Sequence, residues 1–532
     1  MDLRDLHDDD LVVADARLVL EPLIGHYPAW LQLVSPVPSA LRLAKTQLPT
    51  LRSFLEEPAA HASGAGHPAT RGGPFVDCPE EDLPLMEQLT RELSAQTELI
   101  DLANQVGELD LVVESGVDGS DLHQLYERVP EKLRGYVELL YDSHHRPRVR
   151  YREALLYKSP WSTRTRESVY LTLAEGDDRP FIISTPRLST KRGVVVPLHF
   201  DSDAVDLISR SRQTPVRYGD LMDSLGMNGH SDQLVRSFWS PAECAAPAPP
   251  WTVGPRIRYF GHACLVMETE ATSIVIDPFI SPQPGHDRYS LADLPERIDY
   301  CLITHGHADH FVLETLIAIR HKIGTIVVPK NLSGEIFDPS LKLCLQQAGF
   351  TRITEVEDGD SIALGDGEIV AWPFSGEHGD LAIGAKTTYL VRLGDRSILV
   401  GADTRGGHPG LHEILSRAYG PIDDIYLGME CQGAPLTWMY GPLFPEVVDR
   451  RISLSRRLNG SNMTEAIELI GSLGARRIFV YAMGEEPWLQ HVMTTNYTPD
   501  SLQPQQIEGL RSWCSGNSVE FRHLVGRAVI EG

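Results

Sequence analysis

The chain has no Cys-x-x-Cys pair, no Gly-rich nucleotide fingerprint, no Lys/Arg-rich run and no stretch of eighteen apolar residues. Each absence removes a class of protein. Seven cysteines (Cys78, Cys244, Cys264, Cys301, Cys344, Cys431 and Cys514) are dispersed and odd in number, so neither a disulfide framework nor a zinc knuckle is expected. Lys and Arg number 48 against 73 Asp and Glu, and the resulting formal charge of -25 repels a phosphate backbone, which argues against nucleic acid as a partner. The N-terminus, MDLRDLHDDD, is acidic where a secretion signal needs a basic start and an apolar core. With no apolar run long enough to span a bilayer, a cytoplasmic protein without membrane association is expected.

What is present is ordinary globular composition, 42% hydrophobic and 23% charged, on a chain of 532 residues that exceeds what one core serves. Two domains are expected. Ser240 to Pro255, centred on Ala-Ala-Pro-Ala-Pro-Pro, has little to bury and marks the boundary, giving an α+β domain over 1–245 and a second domain over 246–532. In the first, prolines interrupt Leu11 to Leu55 and predict short helices, and Pro58 to Pro74 reads as a mobile loop in which His61 and His67 have no metal role. Glu81 to Val113, skipping a turn at Gln96, and Gly119 to Tyr141 have helical spacing. Glu167 to Leu173, Pro180 to Thr185 and Gly193 to Phe200 read as strands, and the basic cluster His144 to Arg152 as a solvated strand edge.

In the second domain, strands are expected at Arg256 to Gly261, Cys264 to Thr269, Ser273 to Asp277, Ile298 to Ile303, Thr325 to Pro329, Ile353 to Val356, Glu368 to Phe374, Thr387 to Leu393 and Ser397 to Gly401. Gly394-Asp395 makes the last two a hairpin. Helices at about Val312 to His321, up to Gly349, Leu411 to Ala418 and Met463 to Leu473 cover them, which gives an α/β fold with an αββα sandwich.

The chemistry is concentrated in Thr304-His305-Gly306-His307-Ala308-Asp309-His310, directly after an apolar strand. Small residues at 306 and 308 let the backbone fold tightly, so His305 and His307 converge on one ion while Asp309 and His310 turn toward a second. Further ligands belong at later strand ends. Glu377 follows a strand and is flanked by glycines; Asp403 follows Ser397 to Gly401 and has two oxygens with which to bridge two cations; His491 follows Arg477 to Tyr481, with His408 and His412 as alternatives. A surface Glu-His turn and a helix N-cap are the plainer readings of Glu377 and Asp403.

The order H-x-H-x-D-H, strand-end ligand, Gly-Ala-Asp and late histidine resembles the metallo-β-lactamase superfamily over about residues 255 to 500. Tyr259-Phe260-Gly261-His262-Ala263 before Ile276-Asp277-Pro278 resembles its opening hairpin, which implies that His262 stands behind the ligands. A glutamate in place of the usual third histidine, with the long N-terminal domain, resembles the diiron β-hydroxylases, among them that of chloramphenicol biosynthesis. The resemblance implies His305, His307 and Glu377 on one iron, Asp309, His310 and His491 on the other, and Asp403 as bridge. It further implies dioxygen as cosubstrate and an aminoacyl group (p-aminophenylalanyl foremost) tethered to a nonribosomal peptide synthetase carrier domain; the two electrons such a reaction needs, with no flavin or nicotinamide fingerprint in the chain, imply an external electron donor, and the size and position of residues 1–245 suggest dimerisation or a substrate-channel role, with a homodimer expected. Spacing alone leaves the metal open: His2Glu also serves zinc, so a dinuclear zinc hydrolase of an ester, lactone or thioester is the alternative, and a metal-stabilised docking module a third. Arg148 to Arg152 or Arg450 to Arg457 would receive an acidic carrier.

Overall fold

Two seven-stranded sheets face one another in the second half of the computed structural model, which describes residues 6–115, 121–227, 233–242, 251, 254–331 and 334–530. The first sheet carries Ser273–Ile276, Ile298–Leu302, Ile323–Pro329 and Ile353–Val356 in parallel, with Arg256–Gly261 and Cys264–Glu268 as an antiparallel extension. The second runs antiparallel through Gly367–Trp372, Thr388–Leu393 and Arg396–Val400, then parallel through Arg396–Val400, Asp424–Gly428, Arg477–Tyr481 and Glu520–His523. Between the sheets lies an apolar layer that includes Ile257, Leu265, Ile276, Val391, Tyr426 and Phe479. The helices Pro409–Tyr419, Met463–Leu473 and Leu502–Gly516 cover the outer face of the second sheet. Met463–Leu473 is well delimited: Asn462 and Glu465 cap each other's backbone, and Gly474 ends the helix in the left-handed region.

The first half packs on the outer face of the first sheet and shares one hydrophobic core with it, so Leu18, Leu41 and Phe200 belong to the same cluster as Val275, Cys301 and Leu345. Its elements depart from expectation in four places. Leu11–Ala14 and Leu18–Ile24 are strands rather than helices, and Leu18–Ile24 is buried throughout and pairs with Glu167–Leu173. Pro22 is tolerated because the pairing on its other side, with Tyr27–Pro28, begins only at Leu23, so no ladder donor is lost. Pro58–Gly66 is helical rather than a loop; Pro58 starts it, and buried His61 anchors it through Ser53 Oγ at 3.0 Å and the Val76 N–H at 3.1 Å.

Of Gly119 to Tyr141, residues 119 and 120 lie outside the described residues, only His123–Glu127 is α-helical among the described ones, and Val137–Tyr141 forms a hairpin with Pro147–Tyr151, because Pro130 and Gly135 end helical propagation. Pro180 to Thr185 is apolar yet not a strand. Glu81 to Val113 resolves into Leu83–Ser94 and Thr97–Ser115, broken where the periodicity skips at Gln96. Most of the expected linker, residues 243–250 with 252 and 253, lies outside the described residues, and before it Trp239–Pro241 pairs with Leu11–Ala14.

Candidate metal centre

Parallel strands deliver their C-terminal ends to one edge, and here both sheets bring those ends to the same place. Ile298–Leu302 runs into Thr304 and His305, and the Thr387 N–H donates to Thr304 O at 2.8 Å, which ties the histidine motif to the second sheet. Arg396–Val400 leads to Asp403 and Asp424–Gly428 to Glu430. The turns there are strained: His262, Asp277, Glu377, Ala402 and Ala482 have φ of 48°, 41°, 66°, 46° and 56°. Non-glycine residues enter this region at a cost of about 1–3 kcal/mol each, and such strain gathers where side chains must be aimed.

Three groups of potential ligand atoms result: His305, His307, Glu377 and His378; His305, His310 and Asp403; and His262, Asp309 and His310. His307 Nδ1 lies 2.7 Å from Glu377 Oε1, His305 Nε2 lies 3.7 Å from Glu377 Oε2, and His378 Nδ1 is 2.9 Å from the same oxygen. On the other side His310 Nε2 is 3.1 Å from Asp403 Oδ2 and 3.7 Å from Asp309 Oδ2, and His262 Nε2 stands 3.2 Å from Asp309 Oδ2. Six of the seven residues expected as ligands are therefore together. The seventh, His491, is buried with its ring against Phe279, which also packs on His262, but it joins none of these groups. Its alternatives are placed worse: His412 Nε2 donates to Gly406 O at 3.1 Å, and His408 precedes the same helix on its outer side.

Surrounding residues fix the orientation of the ligands. Asp277 accepts the Thr304 N–H at 2.8 Å and hydroxyl at 2.6 Å, and its Oδ2 takes His310 Nδ1 at 2.8 Å, which leaves Nε2 of His310 to face the centre. Tyr440 OH meets His307 Nε2 at 2.8 Å. Gly428 is a spacing requirement: a Cβ there would fall 2.5 Å from Asp403 Oδ1. Burial, with His310 beside it, holds the His305 imidazole well below its ordinary pKa and hence neutral. Burial works against the charge of Glu377, but His307 and His378 hold its carboxyl well below the usual range. Burial and the neighbouring Glu377 and Asp309 charges push Asp403 up.

Do these residues fit two cations? Buried His262 Nδ1, His305 Nε2, His491 Nδ1 and Asp403 Oδ1 have no hydrogen-bond partner among the described residues, although such atoms are nearly always paired. Three carboxylates (Asp309, Glu377 and Asp403) converge within reach of imidazoles, and they suit hard or borderline cations with open positions. The centre opens on a cavity of about 700 Å³, whose wall includes His307, Asp309, Glu377 and Asp403 from the centre, Ile182 and Ile183 from the first half, and Glu430, Trp438 and Tyr497. Sequence reasoning missed Asp277 and Tyr440 as orienting groups, and it missed Glu430. The last could have been found, since it lies two residues past a parallel strand that ends at the same edge as Asp403.

Comparison with known proteins follows the same division. The family described as "Diiron non-heme beta-hydroxylase N-terminal domain" matches residues 14–242, and the "Beta-lactamase superfamily domain" matches 272–480. The 4-amino-L-phenylalanyl-[CmlP-peptidyl-carrier-protein] 3-hydroxylase of Streptomyces venezuelae is 34% identical over 501 residues, which covers 92% of this chain and 94% of that protein. The crystal structure of CmlA, a diiron beta-hydroxylase from Streptomyces venezuelae, superposes with a TM-score of 0.92 at 32% identity and covers 98% of this chain and 100% of that one. A UPF0173 metal-dependent hydrolase of Rhizobium johnstonii is 26% identical over 147 residues, only 24% of this chain and 62% of that protein.

Proposed function

The chain belongs to the family of diiron non-haem β-hydroxylases, and from that premise we propose that it hydroxylates the β-carbon of an aminoacyl group held as a thioester on a peptidyl carrier domain, p-aminophenylalanyl being the foremost substrate. The observation that carries this reading is that the likeness runs through both halves of the chain, whereas the identity to the Rhizobium johnstonii hydrolase spans 24% of it. His305, His307 and Glu377 would hold one iron, Asp309, His310 and His491 the other, with Asp403 between them and His262 steadying Asp309 from behind. Two irons so held supply the dioxygen activation that no side chain can perform. One oxygen atom enters the C–H bond and the other leaves as water, so two electrons and two protons are consumed; an external donor must bring the electrons.

The protein's own residues bind and orient. Asp277 holds the proton of His310 Nδ1, Tyr440 steadies His307, and Ile182, Ile183, Trp438 and Met439 give the cavity an apolar wall that suits an aromatic side chain and excludes water from the reacting carbon. A thioester enters such a cavity without the carboxylate charge of a free amino acid, which would be costly to desolvate. Of the two basic stretches, Arg148 is paired with Glu335 and Arg150 and Arg152 with Glu138, whereas Arg450 and Arg451 are exposed and form no ion pair among the described residues. Their helix, Arg450–Ser455, is joined to the cavity helix Leu436–Tyr440 by the Thr437–Ser453 hydroxyl bond of 2.8 Å. Arg450 and Arg451 are the proposed seat of the carrier. A homodimer through the first half is supported by Leu85 and Leu111, exposed on its two long helices.

The test offers the iron-loaded enzyme, with a chemical reductant, either the carrier-tethered aminoacyl group or the free amino acid. Hydroxylation of the tethered group alone is expected. Equal hydroxylation of the free amino acid would remove the carrier from the reading, and thioester cleavage without oxygen uptake would establish the hydrolase.

A further inference from the structure

The cavity wall contains five carboxylates, and four are accounted for. Asp309, Glu377 and Asp403 belong to the metal centre, and Asp500 is exposed. Glu430 is different. Its two oxygens accept from Gln503 Nε2 and from the Tyr497 hydroxyl, both neutral donors, and no ion pair to it forms among the described residues. The one guanidinium in the wall, that of Arg457, is turned to Gly433 O at 2.6 Å. A carboxylate set in a wall away from bulk water and solvated only by neutral groups is poorly compensated, and a ligand cation in the cavity would complete it.

Its position narrows which cation. Gly460 donates its N–H to Glu430 O at 2.9 Å, and a Cβ on Gly460 would lie 3.4 Å from Asp403 O and 3.5 Å from Glu430 N, so Glu430 and Asp403 are neighbours across one glycine. In a β-hydroxylated aminoacyl thioester the reacting carbon must face the metal centre, and the α-nitrogen is bonded to the very next carbon. The group that receives that nitrogen must therefore stand in the wall immediately beside the centre. An α-amine has a pKa of about 8 and is cationic at neutral pH, whereas an arylamine at the far end of the side chain is not.

Resting on the function proposed above, we propose that Glu430 receives the α-ammonium of the tethered aminoacyl group, and that this ion pair turns one face of the β-carbon toward the metals. Tyr497 and Gln503 act as positioning residues that hold the carboxylate in place. Glu430 thereby selects aminoacyl over simple acyl thioesters.

The experiment compares two carrier-loaded substrates with the same side chain, one aminoacyl and one lacking the α-amine, on the wild-type holoenzyme, Glu430→Gln and Glu430→Asp, with iron content and affinity for the loaded carrier measured alongside. Glu430→Gln is expected to keep its iron, to lose roughly tenfold to a hundredfold in both affinity and kcat/KM for the aminoacyl carrier, the range of a hydrogen bond to a charged group, and to treat the desamino carrier as the wild type does. Glu430→Asp, which keeps the charge, is expected to restore part of the preference. An equal fall on both substrates, no fall on the aminoacyl carrier, or loss of iron in Glu430→Gln would overturn the assignment. A wild-type enzyme that hydroxylates neither substrate would instead overturn the function on which the assignment rests.

Discussion

Buried charge is handled in opposite ways in the two halves of this molecule. In the first half Glu21 is 3% exposed and completely paired: Arg187 donates to its two oxygens at 2.6 and 3.0 Å, Arg179 adds a bond of 3.0 Å, and Arg179 is held in turn by Glu314. In the second half carboxylates and imidazoles of the metal centre crowd together with buried polar atoms left over. The first arrangement is closed and serves to hold the Pro180 to Arg187 segment, and with it Ile182, over the cavity. The second is open and calls for ions from outside. Even one strand shows both: Asp424 at its start is paired with Arg396 and Arg477, whereas Glu430 beyond its end faces the cavity. Closure of the hydrogen-bond account, more than burial or charge, separates structural from chemical groups here.

The largest effect should come from emptying the open arrangement. His305→Ala is expected to abolish hydroxylation, and Asp309→Asn and His491→Ala to lose the second metal more than the first, while His412→Ala keeps both; metal analysis of the folded proteins reads this directly. Two tightly held ions with full activity in Asp309→Asn or His491→Ala would strike that residue from the ligands. Breaking the closed arrangement should have a different signature. Glu21→Gln leaves the buried Arg187 guanidinium without an anion and Arg179 with Glu314 alone, so a loss of about 3–5 kcal/mol in stability is expected by denaturant titration, with unchanged iron per folded chain.

Much of the second half was legible because buried parallel strands read as short apolar runs: Ile353–Val356 and Met463–Leu473 fall where periodicity and caps place them. The first half was less legible for identifiable reasons. Pro22 masks a strand whose neighbour is too short to need its missing donor, and the apolar Pro180 to Thr185 is held by the flanking Arg179 and Arg187, which are bound to Glu21 far along the chain, rather than by a ladder. At the centre, six of the proposed ligands sit on motifs with their own spacing. Asp277 and Tyr440 act across 33 and 133 residues, and only the folded chain brings them in.

A subtler break acts on spacing alone. Gly428→Ala places a methyl group against Asp403 without removing any ligand, and displacement of that carboxylate should lower metal affinity or activity about 10- to 100-fold, as disturbed outer groups usually do. Wild-type values would mean that Asp403 has slack in its position. The smallest effect concerns an imperfect member of the closed half. Glu153 is pushed up from its ordinary 4.5 to about 7, chiefly by burial, with the Ser340 N–H at 2.9 Å opposing. A carboxyl raised on folding contributes stability below pH 4.5, and that contribution is lost as the pH climbs through 7. Glu153→Gln should therefore match the wild type near pH 4.5 and exceed it by about 1–3 kcal/mol at pH 8. A constant difference across that range would mean that Glu153 is ionised in both states.

The function assigned to the open arrangement is activation of dioxygen rather than of water. It is tested most directly by supplying the iron-loaded enzyme, a reductant and the carrier-tethered aminoacyl group with isotopically labelled dioxygen, then weighing the released amino acid. One labelled oxygen atom on the β-carbon, with the thioester intact until it is cleaved for analysis, is the predicted result. Label acquired from water, with the thioester lost during the reaction, would contradict the account.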